Sequence, residues 1–123
     1  MKKLILFIML LGILNSRADI VVTIGTGTGS NASNTYPAPY GNYYFGARHQ
    51  FLYTATELTA AGLGAGNITS IAFNIIAING SPTHLGYTVQ MKNSTLTNLS
   101  SWETSLTTVL NPASRTPVAG WNT

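Results

Sequence analysis

Residues 36–53 gather seven aromatic side chains, Tyr36, Tyr40, Tyr43, Tyr44, Phe45, Phe51 and Tyr53, out of four Phe, six Tyr and two Trp in the whole chain. Burying a side chain of this size stabilises a fold by roughly 1.5–3 kcal/mol, so leaving all of them in water would forgo on the order of 10 kcal/mol, the stability of an entire domain. Most of the stretch must therefore become core. Pro37 and Pro39 hold residues 36–40 extended, because the residue before each proline is pushed towards β or polyproline geometry. Residues 43–53 then read as a strand with a bulge at Gly46. A period of two puts Tyr43, Phe45, Phe51 and Tyr53 on a core face around a buried, hydrogen-bonded His49, and turns Tyr44, Arg48, Gln50 and Leu52 outward.

The rest of the chain repeats this strand-and-turn pattern. The β-branched run 20–24 predicts a first strand, and the glycine-rich segment 25–34 a loop; without a Lys-Ser/Thr pair or an opening helix it lacks the parts of a phosphate loop. Thr54 and Glu57 have capping-box spacing, predicting a short helix over 55–61 stopped by Gly62. The apolar run 68–78 predicts a strand central in its sheet, and Asn79-Gly80-Ser81-Pro82 a turn. Residues 85–91 alternate cleanly, with Leu85, Tyr87, Val89 and Met91 inward and Gly86, Thr88 and Gln90 outward. A second capping box, Ser100 to Glu103, predicts another helical turn, followed by a short strand over 107–110, a loop over 112–117 and the approach to a further strand over 118–123. A chain ending there would leave an open edge, which makes it an N-terminal fragment of a longer product and leaves that edge available for pairing with a neighbour.

Residues 1–18 carry the pattern of a secretory signal peptide: Lys2 and Lys3, an apolar run over 4–14, and Ser16-Arg17-Ala18 as cleavage site. The run is shorter than the about 20 residues of a membrane-spanning helix, so no stable membrane insertion is expected after cleavage. The expected destination is secretion or the cell surface, with the periplasm as the alternative for a truncated product. Residues 19–123 form one domain. Of six Lys and Arg in the chain, Lys2, Lys3 and Arg17 lie in the leader, leaving Arg48, Lys92 and Arg115 against Asp19, Glu57 and Glu103, a net charge of 3 − 3 = 0. Three scattered cations do not make a nucleic-acid surface. With no cysteine, the fold has neither disulfides nor a thiolate metal site.

Few groups are available for catalysis. Glu57 and Glu103 are each absorbed by a capping box and Asp19 lies beside the cleavage site, so no carboxylate pair is free for acid–base work. His84 falls in a turn and reads as solvated. Five Asn-x-Ser/Thr sequons begin at Asn31, Asn67, Asn79, Asn93 and Asn98 in a chain rich enough in these residues to form them by chance. No catalytic residue, metal or cofactor is assigned. The residues left for a ligand are aromatic platforms at Tyr36, Tyr40, Tyr44 and Trp102, together with Arg48, which can lie over Tyr44, pair with Glu57 or meet the ligand directly.

The segments Tyr36-Pro-Ala-Pro-Tyr40-Gly41, Gly46-Ala-Arg48-His49-Gln50, Glu57-Leu-Thr-Ala-Ala-Gly62, Ile68-Thr-Ser-Ile-Ala-Phe73-Asn74 and Gly120-Trp121-Asn122 are similar to those of a β-sandwich accessory module in large secreted and surface proteins of Bacteroidota. These modules often stand upstream of a type IX secretion sorting domain. The resemblance implies an adhesive or accessory role without catalysis, and a family that continues past the point where this sequence stops.

Together these readings predict an all-β chain, a jelly-roll-like antiparallel β-sandwich with one or two short helical turns, incomplete at its C-terminal end. The expected function is a non-catalytic adhesion or accessory module for an extracellular ligand, a glycan being the narrower version. The alternatives are a fragment of a secreted hydrolase whose catalytic domain lies beyond residue 123, and a surface-layer or filament repeat.

Overall fold

Thr54 opens α1 (Ala55–Ala60), the one helix among the described residues, as the sequence predicts. Its hydroxyl accepts from the Glu57 N–H at 3.2 Å, and the Glu57 carboxylate accepts from the Thr54 N–H at 2.8 Å. At the other end Leu63 N–H bonds to Leu58 C=O and Gly62 N–H to Thr59 C=O, a six-to-one and five-to-two pair that needs the left-handed φ of +101° at Gly62. These hydrogen bonds from Thr54 hold the Glu57 carboxyl below its usual value, slightly opposed by burial. A depressed carboxyl stabilises the fold above its unfolded pKa and loses that contribution as pH falls through the folded one. Thr54→Ala should therefore lower stability at neutral pH and flatten the acid limb of the stability curve, read by urea unfolding at neutral and acid pH. An unchanged acid limb would contradict the assignment.

The computed structural model describes residues 19–25, 38–41, 45–78, 80 and 83–123. These are strand-rich: β1 (Phe73–Ile75), β2 (His84–Met91), β3 (Thr107–Arg115) and β4 (Gly120–Asn122) follow α1. They form two antiparallel two-stranded sheets, β1 with β4 and β2 with β3. The expected all-β class is thus met at the level of element content. Residues 1–18, expected to be a leader, and residues 79, 81 and 82 of the expected turn lie outside the described residues.

Several predicted strands shorten or dissolve. Residues 20–24 make no ladder; Ile20 and Val21 are exposed, and the segment is held by Val22, whose methyl lies 3.7 Å from where a side chain on Gly62 would begin. Within 45–53 no strand forms either, and Phe45 at its start takes a left-handed φ of +61° that departs from the expected extended run. Phe45 is consequently fully solvent-exposed rather than core, and Phe51 and Tyr53 are exposed by more than a third. Tyr43 lies outside the described residues. The face expected to turn outward makes contacts as well: Gln50 clamps the Glu103 backbone and the Arg48 guanidinium lies 5.0 Å from the Trp102 ring centre.

Glu103 therefore does not cap a second helix. Residues 100–106 are irregular, Ser105 has a φ of +58°, and the Glu103 carboxylate meets the Lys92 ammonium at 2.6 Å. The apolar run 68–78 contracts to β1, which pairs on one side only among the described residues, with Phe73 opposite Asn122 and Ile75 opposite Gly120. Ile76 is left 73% exposed. The C-terminal segment is accordingly a paired strand rather than an open approach to one.

The β2–β3 hairpin is the largest element and its register slips three times, between His84 and Tyr87, Tyr87 and Val89, and Val89 and Gln90. The first slip sits at Gly86, whose φ of +67° is left-handed and suits glycine. It breaks the alternation between Leu85 and Tyr87: Tyr87, Val89 and Met91 face the packed side as predicted, whereas Leu85 is 83% exposed. The second slip places Asn111 and Pro112 opposite Thr88, so the strand continues to Arg115 through a proline expected to lie in a loop. Packing is mostly by partly exposed side chains, such as Phe51 against Phe73 with ring centres 5.5 Å apart. Among the described residues Pro117 alone is buried.

Candidate functional site

Tyr40 is held by a tight turn. Gly41 N–H donates to Ala38 C=O at 2.8 Å, with Pro39 in the second position, where its fixed φ suits the turn. The turn lays the Tyr40 ring parallel to Tyr87 of β2, centres 5.1 Å apart and planes 5° from parallel. His84, at the start of the same strand, meets Tyr40 edge-on at 5.9 Å and Tyr87 at 6.3 Å. His84 is thus half-buried in an aromatic cluster, not solvated in a turn, because β2 begins one residue earlier than the alternation suggested. Burial, then a hydrogen bond with Tyr40 and the Tyr40 charge, push the Tyr87 hydroxyl well above the usual tyrosine range, with Arg115 pulling weakly the other way.

Beside this stack lies an open cleft of about 240 Å³ lined by Tyr40, Arg115, Thr116, Trp121 and Asn122, with the buried Pro117 among its walls. It forms where the two sheets meet in sequence. Arg115 ends β3 opposite His84, and five residues later β4 begins, with Trp121 opposite Asn74 of β1. The short link between them is shaped by Asn122. Its side-chain oxygen accepts from Val118 N–H at 2.9 Å, and its amide nitrogen donates to Val118 C=O at 2.7 Å and Gly120 C=O at 2.9 Å. Thr116 is fastened to Thr83 by a hydroxyl–hydroxyl contact of 3.0 Å. Trp121 remains 57% exposed with its ring available to the cleft.

Of the residues singled out from the sequence, Tyr40 alone lines this cleft. Arg48 and Trp102 are brought together elsewhere, stacked on one another beside the Gln50–Glu103 clamp, rather than Arg48 pairing with Glu57. Tyr36 and Tyr44 lie outside the described residues. Desolvation lowers the His49 pKa; the ring is half-buried near the same clamp. His84, Tyr87, Arg115, Trp121 and Asn122 were missed as site residues. Tyr87 was visible as a strand residue, but its meeting with Tyr40 depends on contact across 47 intervening sequence steps that no local pattern encodes.

Among the described residues no three His, Cys, Asp or Glu side chains converge on a point that could hold a metal, and no helix is long and apolar enough to cross a membrane. Comparison of the chain with protein-family models, curated proteins and solved structures gives no match.

Proposed function

We propose that this chain is a non-catalytic, exported β-sandwich module of jelly-roll type whose aromatic cleft binds a glycan, in the manner of the accessory and adhesion modules of surface proteins that its sequence resembles. The observation that carries the reading is Tyr40, stacked on Tyr87 and lining the same cleft as an exposed Trp121. Rigid aromatic faces with a few polar groups around them suit the apolar faces and hydroxyl edges of a sugar ring. At about 240 Å³ the cleft is smaller than the roughly 300–1,000 Å³ of drug-sized pockets, which fits one ring of an oligosaccharide better than a long segment of it.

The absence of catalysis in this reading rests on how the carboxylates are used. Glu57 is spent in its capping box and Glu103 on Lys92, which leaves no acid–base pair at the cleft. A glycan array on the full chain is the first test. Tyr40→Ala and Trp121→Ala should each weaken the best glycan about five- to tenfold, whereas Phe45→Ala, on a fully exposed ring that does not line the cleft, should not. Binding that survives both cleft substitutions would remove the site.

A further inference from the structure

We propose that the glycan this cleft selects carries a carboxylate, as a uronic acid does, and that Arg115 reads it with its planar fork; the inference rests on the glycan reading above. Arg115 is the one charged side chain among the lining residues. The other cations among the described residues are engaged: Arg48 lies over Trp102, and Lys92 is paired with Glu103 and bonded to Thr104 C=O at 3.1 Å. The Arg115 backbone pairs with His84 in the β2–β3 ladder and its charge acts on Tyr87, but its guanidinium joins no ion pair or hydrogen bond with a described residue, and no Asp or Glu side chain is among the lining residues.

The neighbouring polar groups narrow the choice further. The Asn122 amide is engaged by Val118 and Gly120, and the Thr116 hydroxyl meets Thr83; Thr123 also lines the cleft, and Arg115 brings the one positively charged side chain among the lining residues. A neutral sugar would stack on Tyr40 or Trp121 without using that charge. A carboxylate on the ring would take two parallel N–H donors from Arg115 while the ring face rests on the aromatics, a geometry a lysine cannot reproduce.

The test uses oligogalacturonate and its methyl ester, two probes with the same rings that differ in whether the carboxylate is charged, measured by calorimetry on the full chain. The acid should bind about tenfold tighter than the ester, with the difference shrinking at high salt. Arg115→Gln, on an exposed residue, should abolish the difference by bringing the acid down to the affinity of the ester; Arg115→Lys should lose most of it. Tyr40→Ala should weaken both probes alike, which would support the aromatic platform independently of the acid. Equal binding of acid and ester to the unsubstituted chain would overturn the carboxylate assignment and leave the glycan reading standing. Failure of both probes would overturn it as well, the array then deciding the glycan reading separately. Full selectivity in Arg115→Lys would overturn the fork.

Discussion

Gln50→Ala is expected to lower the unfolding free energy by about 2–4 kcal/mol, the largest effect of any single polar substitution considered for this chain. Its side-chain amide donates to Glu103 C=O at 2.8 Å, and its oxygen accepts from Glu103 N–H at 2.9 Å, joining residues 53 apart in sequence. Each such bond contributes only about 1 kcal/mol net. Truncation, however, leaves a part-buried backbone donor and acceptor unpaired, and that desolvation costs about 1–3 kcal/mol per group. The clamp also fixes the backbone that places Trp102 under Arg48 and the Glu103 carboxylate on Lys92. A domain of this size is stable by roughly 5–15 kcal/mol, so the loss should shift the urea midpoint strongly at unchanged slope. A midpoint moved by less than the equivalent of about 0.5 kcal/mol would mean that water replaces the amide without cost.

The second large effect is expected at Tyr87. Its ring backs Tyr40 and meets the edge of His84, so Tyr87→Ala removes one half of a stacked pair and part of the packed face of β2. Truncating a fully buried aromatic costs about 3–5 kcal/mol; for a half-buried one about 2–3 kcal/mol is expected, including the roughly 0.5–1.5 kcal/mol specific to an aromatic pair. Near-UV circular dichroism should lose the Tyr40 contribution at the same time. Tyr87→Phe keeps the stack and should stay within about 1 kcal/mol of the parent. Since the folded hydroxyl titrates above its unfolded value of 10.0, its contribution is complete below that pH and is lost as pH rises towards the folded value. Spectrophotometric titration should show Tyr87 resisting ionisation in the alkaline range most strongly, with Tyr53 also shifted upward by burial and the Glu57 charge; if all ionise together, the burial of Tyr87 is wrong.

What was legible in the sequence was what local chemistry decides. The Thr54–Glu57 box and Gly62 fixed a helix to within one residue of its end, because its cap, box partner and stop all lie within nine consecutive residues. The inward set Tyr87, Val89 and Met91 was also legible, since alternation survives wherever pairing is regular. Leu85 failed because the left-handed backbone at Gly86 changes which side the strand presents, and Phe45 failed for the same kind of reason. Glu103 shows the complementary limit. Its spacing from Ser100 suits a capping box, but Lys92 and Gln50 offer it tertiary partners, and these win. Of the candidate site, Tyr40 was visible as a proline-framed aromatic, whereas Arg115 and Trp121 gain meaning only from strand pairings that bring them to it.

The three slips between β2 and β3 also bear on how this protein behaves at high concentration. A straight strand edge offers an incoming chain an evenly spaced row of donors and acceptors, the template on which fibrils and swapped dimers grow. The slips interrupt that row along the longest hairpin, and Pro112 deletes one donor from it. Self-association through backbone pairing is therefore discouraged on this hairpin, and any chain-to-chain contact would fall instead to the short, regular β1–β4 pair, whose Asn74 and Trp121 stand opposite each other without a slip.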